Sequence, residues 1–313
     1  METDIIQIPL TKETHCVHLK TLPFMPAVFC KLLAVSLVRK LALPSGDRVC
    51  RGKLLLSGFV PDPDRVDRYC KVCGFFRSRQ DKTIPPSCLQ TFFIGMLGRY
   101  ITSDFFPVTP MGLIQTGQSF VSKHPVMVND PLNLSCALQE MTRTPKGLFT
   151  RFCLEIHREN TLVWQGISTY LTRDPGQVPP KKIPSPDQPL PIQKTILAPK
   201  NTGRRYARVS RDYNPHHLSA ATAKLIGFKQ AIAHGMWSLA RSLACIEDTM
   251  PFSHPFSVDA AFKLPIYLPA TLTLGYESVF HAKGQVRFEL RDADKGLPHL
   301  KGTLHLQDQD QEN

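Results

Sequence analysis

Asp212 and His217 stand five residues apart in the run Ser210-Arg211-Asp212-Tyr213-Asn214-Pro215-His216-His217. Pro215 fixes its own φ and biases Asn214 away from helix, so this stretch reads as a loop able to turn both side chains toward one spot. A carboxylate and an imidazole that converge can share one water, and two weak bases on one water are what hydration of a double bond requires. Further on comes Ile232-Ala233-His234-Gly235-Met236, where Gly235 opens a stretch with helical spacing. Its N–H has no partner inside a helix that starts there, and the helix dipole favours negative charge at that end. A carbonyl oxygen gaining charge at such a donor is stabilised by about 2.7 to 4 kcal/mol.

Each of these residues has a plainer reading when taken alone. Asp212 could simply cap the turn that follows it, and His234 beside Gly235 reads first as a packed, hydrogen-bonded side chain rather than a reacting group. Cys70 and Cys73 form one C-x-x-C without a second pair or a suitably spaced histidine, so they read as small buried residues on a helix. No His, Cys and carboxylate set has metal-ligand spacing, so no metal is implied; G-x-G-x-x-G and P-loop patterns are also missing, which speaks against a nucleotide cofactor.

The elements that must position these groups follow from periodicity. Met236, Leu239, Ala240, Leu243 and Ala244 form one apolar stripe at helical spacing, with Arg241, Glu247 and Asp248 off it. Hairpins with period-2 alternation follow. One runs through Phe152, Leu154 and Ile156 to a polar turn at 158–161; the other sets Val286, Phe288 and Leu290 against Arg287, Glu289 and Arg291, turns at 292–296 and returns through 300–306. The two halves of the chain echo each other, Arg68-Tyr69-Cys70-Lys71-Val72-Cys73 against Arg205-Tyr206-Ala207-Arg208-Val209-Ser210, and Ile94-Gly95-Met96 against His234-Gly235-Met236. An α+β architecture is expected, in which strands wrap one long central helix, twice.

Seven prolines among residues 175–191 exclude helix interior and central strand, so that segment reads as a linker that extends to roughly 50 Å as polyproline II. The expected organisation is an N-terminal segment at 1–44, a first domain at 45–174, the linker at 175–191, a second domain at 192–306 and a polar, disordered tail at 307–313. Within the first segment, Phe24 to Leu41 contains Lys31, Arg39 and Lys40 and reads as an amphipathic helix packed on its own protein; a peripheral membrane contact is the alternative. No apolar run reaches the roughly 18 to 20 residues that a transmembrane helix needs, and this one lacks a signal peptide's cleavage site.

With 38 Lys and Arg against 26 Asp and Glu, the net charge of +12 calls for an anionic partner. The basic residues are scattered and carry no nucleic-acid-binding signature, so nucleic acid is not the expected partner. Nine cysteines, an odd number, do not suggest a disulfide framework and fit a reducing compartment, the cytoplasm.

The run D-Y-N-P-H-H at 212–217, Gly227-Phe228 and A-H-G-M at 233–236 resemble the MaoC-like (R)-specific enoyl-CoA hydratases and 3-hydroxyacyl-thioester dehydratases. Their pattern is D-x-N-P-x-H followed by His-Gly at the head of the helix. Phe262-Lys263-Leu264-Pro265 with Leu268-Pro269 resembles the strand that closes that family's acyl tunnel, while Pro85-Pro86 and Pro110-Met111-Gly112-Leu113 resemble the first repeat of its double hot-dog members.

The resemblance implies a tandem hot-dog fold, each half an antiparallel sheet wrapped around a central helix, and an (R)-specific hydro-lyase acting on acyl-CoA or acyl carrier protein thioesters. It makes Asp212 and His217 the water-holding catalytic pair, with Asn214 supporting the loop and contacting substrate. Gly235 becomes the oxyanion donor, and His234 lies beside it. No cofactor is implied beyond the coenzyme A or phosphopantetheine that the substrate carries. Arg211, Lys229 and Lys263 become candidate contacts to that carrier, and Arg204, Arg205 and Lys224 could help steer it. Two departures stand out: Arg211 replaces the family's usual glycine, and His216 its usual aliphatic residue.

Aligning the halves on Arg-Tyr-x-x-Val sets Phe75 opposite Asp212 and Gln80 opposite His217, so one site per chain is expected, in a monomeric pseudo-dimer or a homodimer. The rival readings are a hot-dog thioesterase, a non-catalytic acyl-thioester binding protein, and a nucleic-acid or membrane-surface adaptor resting on charge alone.

Overall fold

The computed structural model describes residues 5–38, 49–76, 82–110, 112–173, 188–224, 227–278 and 284–306. Most of the expected linker, Gln80, Met111 and the tail at 307–313 lie outside the described residues. In chain order the elements are β1 (Ile6–Gln7), β2 (Leu10–Leu19), α1 (Met25–Val38), β3 (Val49–Phe59), α2 (Pro63–Cys73), α3 (Pro86–Leu89), α4 (Ile94–Ile101), β4 (Ile114–Ser122), β5 (Leu132–Thr144), β6 (Gly147–Arg158) and β7 (Thr161–Thr172). The second half follows with β8 (Ile192–Ala198), α5 (Thr202–Ser210), α6 (Pro215–Leu218), α7 (Ala220–Lys224), α8 (Gly235–Glu247), β9 (Phe256–Phe262), β10 (Ala270–Tyr276), β11 (Gln285–Asp292) and β12 (Pro298–Leu306).

By contacts the chain divides into two compact units: residues 1–60, 92–118 and 131–181 form one, and residues 61–91, 119–130 and 182–313 the other. In the first unit the strand order is β2-β3-β5-β6-β7, with β1 also pairing β5. All these pairs are antiparallel except β2 with β3, which run parallel and depart from the all-antiparallel expectation. The hairpin at 158–161 is where periodicity put it, with Phe152, Leu154 and Ile156 fully buried. Over Met25–Val38, helix α1 carries Lys31 as its one charge and Ser36 as its other polar side chain, so this stretch by itself is mainly apolar; Arg39 and Lys40, on which the amphipathic reading also rested, lie outside the described residues. It rests on α4 where Gly98 leaves room, since a β-carbon there would come 2.4 Å from Val28 Cγ1. No described helix is long and apolar enough to cross a membrane.

In the second unit the antiparallel order is β9-β12-β11-β10-β8, and α8 packs on β11 and β12. The stripe Met236, Leu239, Ala240, Leu243 and Ala244 is buried, as helical spacing demands. Sheet wrapped on helix in this way is the hot-dog arrangement, within an α+β fold. One alternation fails: Glu289 and Arg291 on β11 do not face solvent but pair with each other at 2.7 Å in the interior. Charges of opposite sign two residues apart on one strand face can be buried together because each neutralises the other.

Within this unit α2 and α5 form a matched pair. Asp62 caps α2 by accepting from the Asp64 and Arg65 N–H groups, and Cys70 and Cys73 are buried on it. Tyr69 and Tyr206 meet at 6.0 Å between ring centroids. Each helix ends in a left-handed residue: Gly74 at φ 83° for α2, Arg211 at φ 67° for α5. The Arg-Tyr-x-x-Val repeat is therefore also a backbone repeat.

The second echo is displaced. Ala233 N–H donates to Ile266 O and Leu268 N–H to Ala231 O just before α8, and the same ladder recurs at Ile84 N–H to Val126 O and Val128 N–H to Lys82 O. Extended residues then precede a helix in both places, His234 before Gly235 and Pro85 before Pro86. The counterpart of His234-Gly235 is thus Pro85-Pro86, not Ile94-Gly95. The first-half helical run, α3 followed by a 3-10 turn at 90–93 and α4, hides this because its apolar period is interrupted. Pro86 has no N–H, so the first half lacks the donor that Gly235 carries.

Candidate active site

Asp212, Asn214, His217, His234 and Gly235 come together in the second unit. Helix α5 ends on the left-handed Arg211, which turns the chain back, and the Asp212 N–H then donates to Ser210 Oγ at 3.1 Å. Asp212 Oδ1 accepts from the Asn214 N–H at 3.2 Å and from its Nδ2 at 2.8 Å, so Asn214 braces the loop through the carboxylate. Pro215 starts α6, and His217 lands buried in its last turn.

His217 Nδ1 lies 2.8 Å from Ile232 O. A carbonyl can only accept, so Nδ1 carries the proton and Nε2 keeps the lone pair. His234 Nε2 meets the backbone O of Asp212 at 3.0 Å and therefore carries its proton, which ties the head of α8 to the Asp212 loop. The His217 and His234 rings stack at 3.5 Å between centroids. The His216 ring, by contrast, lies edge-on to His217 at 4.0 Å and against Phe228 at 5.4 Å, a packing position outside the cluster. One nitrogen of each of His217 and His234 and one carboxylate oxygen of Asp212 all lie within 4.8 Å of one another. Folding gathers these three residues although their sequence spacing shows no metal-ligand pattern. The same separation lets one water bridge the acid and the base.

Burial sets the charge state. Desolvation, followed by the neighbouring His234 and His216, holds His217 well below the usual histidine range, and desolvation takes His234 down to about 3. Both are neutral at pH 7. Because the unfolded chain protonates these rings near 6.5 and the folded one does not, their contribution to stability is whole above that value and falls as pH drops below it, for His234 down to about 3. Stability is therefore expected to fall steadily as pH drops from 6.5 toward 5. Urea denaturation at about pH 7.5 and about pH 5 measures it; His234→Gln should lessen the slope, and equal slopes in the variant and the parent would refute this account.

Gly235, the first residue of α8, is partly exposed while residues 231–234 and 236–240 are buried, and the N–H of a helix's first residue has no partner inside the helix. The Phe262 ring covers its other side, where a β-carbon would come within 3.0 Å. Arg211, Lys229 and Lys263 are exposed, as are Arg204, Arg205 and Lys224. Phe75, opposite Asp212, stacks on Tyr69 and offers no acid or base.

Two participants had only faint traces in the sequence. Ile232 acts through its carbonyl, which no side-chain reading reveals. Gly203 lets α5 approach α6 so closely that a β-carbon would sit 2.0 Å from His217 O. Since the obstacle is backbone, Gly203→Ala should displace His217, costing about 1 to 3 kcal/mol of stability; a melting curve and a specific activity matching the parent would refute that. Arg211 occupies a conformation that disfavours L side chains. Arg211→Gly is expected to gain about 0.5 to 1 kcal/mol in urea denaturation with turnover within about twofold, and a less stable variant would contradict it.

A family model described as MaoC like domain matches residues 177–294. The 3-hydroxyacyl-thioester dehydratase X of Mycobacterium tuberculosis is 30% identical over 266 residues, covering 84% of this chain and 92% of that protein. The crystal structure of HtdX from the same organism superposes with a TM-score of 0.69 at 26% identity, over 82% of this chain and 100% of that one. A MaoC-like dehydratase from Phytophthora capsici gives 0.64 at 17% identity, over 82% and 95%, a likeness of fold.

Proposed function

The chain belongs to the MaoC-like dehydratase family, and from that premise we propose that it is an (R)-specific 3-hydroxyacyl-thioester dehydratase, a hydro-lyase that also hydrates trans-2-enoyl thioesters in reverse. The observation that carries this reading is the tautomer of His217. Its Nδ1–H is committed to Ile232 O, which leaves Nε2 as a base, and the His217 ring lies close enough to the Asp212 carboxylate for both to hold one water. In hydration the pair orients the water and takes a proton as its oxygen bonds to C3. A proton from the same pair is delivered to C2, and the Gly235 N–H takes the charge that gathers on the thioester oxygen. Dehydration retraces these steps, and neither direction consumes a cofactor. Delivery of the hydroxyl to C3 and of the proton to C2 from one cluster makes the addition syn.

The first half supplies neither acid, base nor the Gly235 N–H equivalent, so one site per chain is proposed, in a monomeric pseudo-dimer or a homodimer. Its acyl group would enter on coenzyme A or on acyl carrier protein. The exposed Arg204, Arg205, Arg211, Lys224, Lys229 and Lys263 suit the phosphates of the first and the acidic surface of the second. Nine cysteines, an odd number, suit a reducing, cytoplasmic setting, here within lipid metabolism.

Loss of the enoyl-thioester absorbance tests this reading, with crotonyl-CoA and a longer trans-2-enoyl chain, each on CoA and on acyl carrier protein, followed by chiral analysis of the product. Formation of the (R)-3-hydroxyacyl thioester, unaffected by a chelator, is the expected result. Release of free acid and thiol would replace the reading with a thioesterase; binding without turnover on either carrier would leave a binding protein.

A further inference from the structure

Arg65, on a helix that precedes the site by nearly 150 residues, is buried at 5% exposure and points at the end of α5. Its Nε donates to Val209 O at 2.7 Å. Nη2 lies 3.4 Å from Ser210 O and donates to both the backbone O and Oγ1 of Thr91 at 3.1 Å. Val209 and Ser210 are the last residues of α5, where backbone carbonyls have no partner within the helix and the dipole is negative. A guanidinium, planar and unable to lose its proton, matches such a set of oxygens better than a lysine ammonium does.

From these atoms a continuous path leads to the proposed acid. Arg65 holds the Ser210 carbonyl, the Ser210 hydroxyl receives the Asp212 N–H, and the Asp212 carbonyl receives His234 Nε2–H. Between Ser210 and Asp212 stands Arg211 in its left-handed conformation, a turn that needs support on both sides because the residue itself disfavours it. Asp212 is partly exposed on a loop, so its aim depends on what anchors the loop's start.

We infer that Arg65 is a positioning residue: it clamps the end of α5 and thereby directs the Asp212 carboxylate toward His217 and the water between them. The clamp comes from the half of the sequence that has lost its own catalytic groups, which gives that half a part in the reaction besides shaping the fold. This inference rests on the proposed role of Asp212.

The test is a double-mutant cycle in the full-length protein with trans-2-enoyl-CoA, together with amide hydrogen exchange. Arg65→Met should lower kcat by about 10- to 100-fold with KM within about threefold. In an Asp212→Asn background the same change should cost less than about twofold, since Arg65 acts through Asp212. A change that merely lowered the folded fraction would cost the same factor in both backgrounds, and that outcome overturns the inference, as does an unchanged kcat in Arg65→Met. Faster exchange confined to residues 209–214 is expected, and unaltered exchange there also overturns it. Should the wild type turn over no thioester, the proposed function fails and exchange alone judges the clamp. Should Arg65→Met not fold, Arg65→Lys takes its place: it keeps the charge but not the fork, so kcat falls by about threefold to tenfold if Arg65 positions the loop and stays at the parent value if it does not.

Discussion

Asp212→Asn is expected to lower kcat by about 10³-fold while leaving thioester binding and the fold in place. The amide is nearly isosteric with the carboxylate, and its oxygen can still accept from the Asn214 N–H that braces the loop. What disappears is the charge and the capacity to take or return a proton beside His217. Because one carboxylate oxygen is already occupied by Asn214, the other is left for water, and an amide nitrogen placed there donates where an acceptor is needed. Steady-state turnover of enoyl thioester, with melting curves as the control for folding, provides the measurement. A variant within tenfold of the parent would remove Asp212 from the acid–base pair and return it to the role of a turn cap.

His217→Ala is expected to cost a similar factor, about 10² to 10⁴ in kcat, whereas His216→Ala should stay within about threefold. The two residues are adjacent in sequence but not equivalent in space. His217 is buried, fixed in tautomer by Ile232 O and stacked on His234, while His216 packs against Phe228. Loss of activity in the His216 variant alone would reverse the assignment. Combining Asp212→Asn with His217→Ala should cost little more than either alone, since two groups that serve one water fail as a unit.

The pH profile carries the same assignment. A base acts in its unprotonated form, and burial holds His217 unprotonated well below the usual histidine value. The acid limb of kcat/KM should therefore lie below 6.5, with no drop as pH passes through that value. A limb centred at about 6.5 would identify a solvated histidine as the base and exclude His217.

Much of this site was legible in the residues themselves. The Asn-Pro turn between Asp212 and His217, the helical stripe after Gly235 and the period-2 hairpins depend on local rules: φ of proline, the 3.6 and 2.0 periods, and the orphan N–H groups of a helix start. These rules act over a few residues, so a single sequence suffices to apply them, and the resemblance to the MaoC-like family rests on the same stretch.

Tertiary structure decided what local rules cannot reach. The proton on His217 is placed by a carbonyl fifteen residues away, and a backbone acceptor leaves no mark on residue type. Lowered basicity in His217 and His234 comes from burial, a property of the surrounding packing rather than of the motif. The match of Pro85-Pro86 with His234-Gly235 appears in the strand pairing that precedes each helix and not in residue identity, since proline and glycine share nothing but the place they occupy. Contact between Arg65 and the end of α5 bridges 144 positions, and only the fold brings them to 2.7 Å. The sequence by itself determined which groups could react; long-range contacts decided which of them meet, in what protonation state, and what holds them there.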